Sequence, residues 1–361
     1  MDNYRDVEIL ADLVVADSGT RTIDLNVTEP ITELAVDIKV KNTAVVCNDM
    51  PAERIISKIE IVDGGKVYWS CSGAEAIAIS CYEKGRWPPV WLYEGASGNQ
   101  RAHIPLSFGR YLGDEQYAFS PTRLLNPQLK VTWAKNALHT TAQVELGVYA
   151  KLMQGVSPPS QALLTKAIRA FTTAGSGVEP TDLPVDQPYR RLFIRGELSG
   201  TAFTSIFSHY KLDCDVASLV VFDLGQRNMV NRCETEFGFF SYRKHDFVDD
   251  GRLVRSWLGR TMACSLQSGS GGRICNGYTT SSDNYCSHVD LHDNTGQTDL
   301  TVVAEVMGSF PQYTLCYQFG RKEDPASWFN PTRFGAINLQ LTQGTADAVA
   351  SILLQQPVPL P

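Results

Sequence analysis

Residues 16–31 read ADSGTRTIDLNVTEPI, and residues 174–189 read AGSGVEPTDLPVDQPY. Ser18, Gly19, Asp24, Leu25, Val27 and Pro30 return as Ser176, Gly177, Asp182, Leu183, Val185 and Pro188, each pair offset by 158 with no gap. Self-similarity at one offset marks a duplicated structural unit, and that reading governs every local one.

The echo continues downstream. Phe108-Gly109-Arg110 followed by Pro121-Thr122-Arg123-Leu124 returns as Phe319-Gly320-Arg321 followed by Pro331-Thr332-Arg333-Phe334, at offsets of 211 and 210. Paired closing strands come next: QLKVTW and AQVELGVYAKL in the first half, AINLQLTQ and AVASILLQQ in the second. Because the offset grows from 158 to 211, the second half carries an insertion, expected between about 226 and 318. Its LQSGSGGRICNGYTTSSDNYCS (266–287) is rich in Ser, Gly, Asn and Thr and reads as surface loop.

Within each half the pattern is short alternating runs such as ELAVDIKV, KVYWS and QLKVTW, broken by Gly, Pro and Asn. Ile59, Ile61, Val67 and Trp69 flank Asp63-Gly64-Gly65, a hairpin signal. One helix follows. Ser72 and Glu75 form a capping box, and Ala74, Ile77, Ala78, Cys81 and Tyr82 make one apolar face. Gly85 and Pro88-Pro89 stop it after about three turns, enough to cover one end of a sheet. In the second half SLVVFDLG (218–225) echoes KIEIVDGG (58–65), and Asn231-Arg232-Cys233-Glu234 offers a second helix cap, with Phe237 and Phe240 at helical spacing. About eight strands per half predict an all-β fold of two tandem eight-stranded jelly-roll sandwiches, each with a short helix after its middle strands. The expected division is 1–154 for the first sandwich, 155–164 (GVSPPSQALL) for a linker and 165–361 for the second.

The duplicated SG-x4-DL-x-V-x2-P segment, the IVDGG hairpin feeding the SGAEAIAISCYEKG helix, and the FGR and PTR segments together resemble the double jelly-roll major capsid proteins of tailless icosahedral viruses. That family includes the adenovirus hexon and the coats of membrane-containing bacteriophages. The resemblance covers nearly the whole chain. It implies a structural protein of the virion, not an enzyme, in homotrimeric capsomers of pseudo-sixfold outline assembled in a host cytoplasm. Its partners would be neighbouring capsomers, penton and minor capsid proteins, and an internal membrane facing the shell interior. The 266–287 loop would sit at the outer rim.

Composition agrees with such a role. A formal net charge of −7 without a basic stripe disfavours direct nucleic-acid binding, sequence-specific or not. The start, MDNYRDVEIL, lacks the apolar core of a secretory signal, and no apolar run approaches the ~20 residues of a membrane-spanning helix. The nine cysteines include no C-x-x-C pair and read as reduced, mostly buried thiols, although Cys264, Cys275 and Cys286 share a loop region where pairing is open.

Little in the sequence points to catalysis, and no cofactor is expected. His103, His139, His209 and His245 are scattered. The one cluster is CSHVDLHDN, where Cys286, His288 and His292 form a weak candidate for zinc, with Asp290 and Asp293 nearby but no evident fourth ligand. The first half has no H-x-H, against a cupin; SGSGG (268–272) lacks the ending of a phosphate loop; there is no G-x-S-x-G elbow. The sequon Asn26-Val27-Thr28 carries no weight without a secretory signal. Arg110, Arg123, Arg321 and Arg333 occupy matched places and are expected to tie loops to the sandwich, while Trp87, Trp91 and Trp328 are candidates for core or interface. The alternative function is a two-domain β-sandwich that binds or hydrolyses glycans, with HDFVDD (Asp246, Asp249, Asp250) as its possible carboxylates.

Overall fold

The computed structural model describes residues 4–361 apart from 46, 48–49, 94, 141–143, 249–251, 269–274, 280–287 and 294–299, with side chains described outside 246–255 and 266–302. The first half supplies β1 (Tyr4–Val15), β2 (Ser18–Asp24), β3 (Ile31–Lys41), β4 (Ile56–Asp63), β5 (Lys66–Cys71), α1 (Gly73–Lys84), β6 (Val90–Tyr93), β7 (Asn99–Ser107), β8 (Pro127–Ala134) and β9 (Val144–Met153). Two layers form, in the orders β1-β9-β3-β7 and β2-β8-β4-β5, the strand order of a jelly roll. Alternation sets the layers. Along β8 the residues Leu129, Val131 and Trp133 face the core, and Gln128, Lys130 and Thr132 face out.

The second half repeats the plan with β10 (Gln161–Ala174), β11 (Val178–Asp182), β12 (Arg191–Glu197), a single helical turn α2 (Phe203–Ile206), β13 (Phe207–Cys214), β14 (Leu219–Gly225) and α3 (Gln226–Phe237). The insertion follows as β15 (Phe240–Val248), β16 (Arg252–Arg255), β17 (Leu258–Ser268), β18 (Cys275–Thr279), β19 (His288–Asp293) and β20 (Leu300–Pro311). Then β21 (Thr314–Gln318), β22 (Ile337–Gln343) and β23 (Ala346–Pro359) close the unit, giving layers β10-β23-β12-β21 and β11-β22-β13-β14.

The duplication holds at the level of single hydrogen bonds. Leu25 N donates to Pro127 O and Leu183 N to Ile337 O, both at 2.9 Å. Asp24 accepts from Gln128 Nε2 at 2.8 Å and Asp182 from Asn338 Nδ2 at 2.9 Å. The bridge Ile31–Phe119 returns as Tyr189–Phe329.

Four expectations change. The segment 218–225 holds β14, which is the counterpart of β5 and not of β4 in the repeat, because both strands run straight into a helix. That second helix starts at Gln226, not at Asn231; its N-cap Gly225 makes no side-chain bond, and Phe240 belongs to β15. Residues from 226 to 237 are therefore part of the repeated unit, and the extra strands lie between Phe240 and Pro311. Finally, Gln161–Leu164, read as linker, already opens β10, where Leu163 and Leu164 are buried.

The two halves are fused. The parallel pair β5–β10 joins one layer from each half at Ser70–Lys166, and β6–β15 joins another at Leu92–Lys244. One apolar cluster runs through both halves, from Trp69 and Phe108 to Phe193 and Leu353. Each such large side chain, fully buried, contributes about 2–3 kcal/mol relative to exposure.

Helix α1 lies at this junction. Its capping box is formed, with Ser72 N donating to Glu75 Oε2 at 2.7 Å, and Gly85 takes the left-handed conformation at φ 67°. Every residue of α1 except Lys84 is buried, so the single apolar face expected from the sequence understates it. One face packs on its own sandwich and the other on the second half. By contrast, only Met229, Val230 and Cys233 of α3 are buried.

Candidate assembly surface

Polar groups hold the junction. Glu83, at the end of α1, receives Arg190 Nη1 at 2.5 Å and Gln355 Nε2 at 3.0 Å, and Arg191 Nη1 approaches at 2.9 Å as an ion pair. Both arginine side chains are fully buried. Burial alone would raise the Glu83 carboxyl, but the charges of Arg190 and Arg191 overcome it and hold it at about 2. Burial pulls Arg190 below its ordinary value while Glu83 acts in the opposite direction. Glu75 links its capping role to the second half by accepting from Ser351 Oγ, and Tyr82 donates its hydroxyl to Thr314 O at 2.7 Å.

A second polar group lies beyond the other end of α1. Arg54 reaches Glu197 Oε1 at 2.5 Å and Gln312 Oε1 at 2.8 Å, with its guanidinium 4.2 Å from the Trp257 ring centre. Gln312 Nε2 in turn donates to Glu53 at 2.8 Å. Arg110 grips Asp114 with Nε at 2.7 Å and donates to Glu323 O at 3.0 Å; Arg123 donates to Pro158 O at 3.0 Å and to Pro361 O at 3.3 Å. These two arginines do tie loops and halves together. Their counterparts act otherwise: Arg333 stacks on Phe334, and Arg321 bonds Ser327 and Trp328 through its backbone. Trp87 and Trp328 are core residues, and Trp91 is 55% exposed.

The outer face of β1-β9-β3-β7 gathers residues that lie far apart in sequence. His103 Nδ1 lies 3.1 Å from Asp37 Oδ1, and Tyr149 stacks on the imidazole with its hydroxyl 3.0 Å from Nε2. Burial first, then Asp37, pushes the Tyr149 phenol up to about 12. His209 pairs with Asp223 at 2.5 Å, His139 contacts Cys47 at 3.5 Å, and His245 stacks on Trp91. A groove of about 350 Å³ on this face contains Trp91, Asp37 and Glu145. Of its three carboxylates, Asp37 is engaged with His103 and Glu145 with Lys39, and the third is Asp12. A glycan hydrolase needs such a pair free across its groove.

His288 and His292 lie on β19, opposite Arg255 and Asn276 in the backbone ladders; their side chains and Cys286 lie outside the described residues. The same holds for Asp246, Asp249 and Asp250. Among the described residues no cluster has the composition of a metal site. Cys71, Cys81, Cys214, Cys233 and Cys316 are free, buried thiols, Cys47 is buried and Cys264 half-buried; Cys275 and Cys286 lie outside the described side chains.

No protein-family model and no curated protein matches the chain in sequence. Solved structures do match it in shape, end to end. The STIV MCP, from Sulfolobus turreted icosahedral virus, superimposes with a TM-score of 0.63 at 10% identity, over 99% of this chain and 97% of its own. VP54 of PBCV-1 gives 0.57 at 11% identity over 99% and 94%. The major capsid protein of bacteriophage PM2 gives 0.54 at 10% identity over 99% and 97%. The fold is the double jelly roll. At such identities the likeness establishes architecture, and each half has all eight strands of a jelly roll among the described residues.

Proposed function

We propose that the chain is the major capsid protein of an icosahedral virus, a structural protein that forms homotrimeric, pseudo-hexagonal capsomers. One observation carries this reading: a double jelly roll whose halves are fused through shared sheets and an ionic junction, similar in shape to the STIV MCP and the PM2 major capsid protein over nearly their full lengths. In such a shell the insertion β15–β20 stands at the outer rim. Neighbouring capsomers flank the trimer, penton and minor capsid proteins fill the vertices and seams, and an internal membrane lies beneath. Among the described residues no helix is long and apolar enough to cross that membrane. Two of the three carboxylates in the groove beside Trp91 are held in ion pairs, Asp37 by His103 and Glu145 by Lys39, which counts against a free catalytic pair there and so against the glycan-hydrolase alternative.

The test is the solution mass by light scattering coupled to size exclusion. Three times the 39.8 kDa protomer, with hexagonal particles in negative stain, is expected. A chain that stays monomeric at high concentration overturns the reading.

A further inference from the structure

The internal junction has a vacant counterpart. In the second half Arg191 lies between Gln355 on β23 and Gln318 on β21, and Glu83 of α1 rests on them. In the first half the corresponding position, at the 158 offset, is Glu33, between Lys151 on β9 and Ser107 on β7. No helix covers it. A cavity of about 560 Å³ opens over these residues, lined also by Lys84, Arg86 and Lys322. Lys84 is paired with Glu33, Arg110 with Asp114 and Glu83 with Arg190 and Arg191, so Arg86, Lys322 and Lys151, the last 3.7 Å from the exposed Asp6, face Glu323 among the remaining lining charges and leave the balance positive.

The second half presents the matching piece uncovered. Helix α3 occupies the place of α1, starting at Gln226 where α1 starts at Gly73. At that 153 offset Glu236 is the counterpart of Glu83, and it is exposed, as are Asn228, Arg232 and Thr235. The strands agree. The outer edge of β5 is taken by β10, whereas β14 ends its sheet and β1 ends the sheet that carries the cavity.

We propose that the cavity over Glu33, Ser107 and Lys151 is the socket for α3 of a second copy, with Glu236 entering it as Glu83 enters the socket of Arg190 and Arg191. The occupant is fixed by the chain itself, because the same pair of faces is already joined once within the protomer. The contact is heterologous, one copy's second half against the next copy's first half, and such contacts close into rings. The outward face of α3 is polar, as suits a surface that is wet before assembly. The proposal rests on the capsomer reading and names the faces that build it.

The test uses the full chain with Glu236→Arg, Lys151→Glu and both together, followed by light scattering over a dilution series, with circular dichroism melting to show that each variant folds. Each single change is expected to raise the half-dissociation concentration by about tenfold or more, and the double change to bring it back within about threefold. Single variants that assemble like the unaltered protein, or a double variant without rescue, overturn the socket while the unaltered trimer keeps the capsomer reading intact. An unaltered protein that is monomeric overturns both.

Discussion

Asp63 and Asp215 hold the same post in the two halves. Asp63 ends β4 and Asp215 directly follows β13, the first strand of the hairpin before the helix in each half, and each accepts two backbone amides from the segment after the PTR turn. Asp63 takes Leu125 N at 3.3 Å and Asn126 N at 2.7 Å; Asp215 takes Gly335 N and Ala336 N, both at 2.9 Å. The turns they guard differ. Gly64 supplies a positive φ of 57° at little cost, but Asp215, Val216 and Ala217 all adopt φ between 47° and 68°. Asp215→Ala is therefore expected to cost about 1–3 kcal/mol in chemical denaturation and Asp63→Ala less, since only the second turn relies on its clamp to hold strained residues. Equal losses would refute the difference in role.

Val216 offers the opposite sign. Its side chain is 96% exposed, so replacing it removes almost no packing, and its φ is 54°. A left-handed residue with a Cβ costs about 1–2 kcal/mol, and the freedom glycine brings to the unfolded chain offsets part of the relief. Val216→Gly should stabilise the protein by up to about 1 kcal/mol. A melting temperature below that of the unaltered chain would show that the strain is not there.

Much of the fold is legible because the duplicated segment lies where backbone pairing repeats. Asp24 and Asp182, Leu25 and Leu183 match in letters because they make the same bonds. The junction is not legible for the converse reason. Glu83 reads as a solvated residue in the last turn of a helix, and its partners Arg190 and Gln355 are 107 and 272 residues away. The burial of α1 is equally hidden, since periodicity reports the face turned to a residue's own sandwich and says nothing of a second sandwich behind it. His103 reads as one of several scattered histidines because its partners Asp37 and Tyr149 come from the neighbouring strands β3 and β9. The misplaced start of α3 has a local cause: VFDLG resembles the strand-and-turn of IVDGG, yet its glycine caps a helix.

Two buried glutamates at the junction should titrate in opposite directions. Glu83 falls from the ordinary 4.5 to about 2, so its contribution is full above pH 4.5 and is lost as pH drops toward 2. Fully buried, it accounts for about 3 kcal/mol of acid-dependent stability. Glu53 is raised by burial, so its penalty grows as pH climbs above 4.5. Urea denaturation at several pH values is expected to show Glu83→Gln destabilised at neutral pH by about 3–5 kcal/mol, with two buried arginines left unneutralised and a flatter acid limb. Glu53→Gln should gain stability relative to the unaltered chain between pH 4.5 and neutrality. A common slope for both variants would contradict the assignment.

Arg54 tests whether the second polar group welds the halves. Its guanidinium satisfies Glu197 and Gln312 from the first half and covers Trp257, with only 10% of the side chain exposed. Arg54→Met keeps the stem but strips the charge. Glu197 retains Arg195, so its carboxylate is not abandoned, while Gln312 loses its donor at a bend where its own φ is 49°. The expected loss is about 2–4 kcal/mol, part of it from the ring contact. A double-mutant cycle with Trp257→Leu separates that part: coupling of about 1 kcal/mol is expected, because the ring can stabilise the cation only while both are present. Additive losses would mean that Arg54 acts through Glu197 and Gln312 alone and that Trp257 merely fills space.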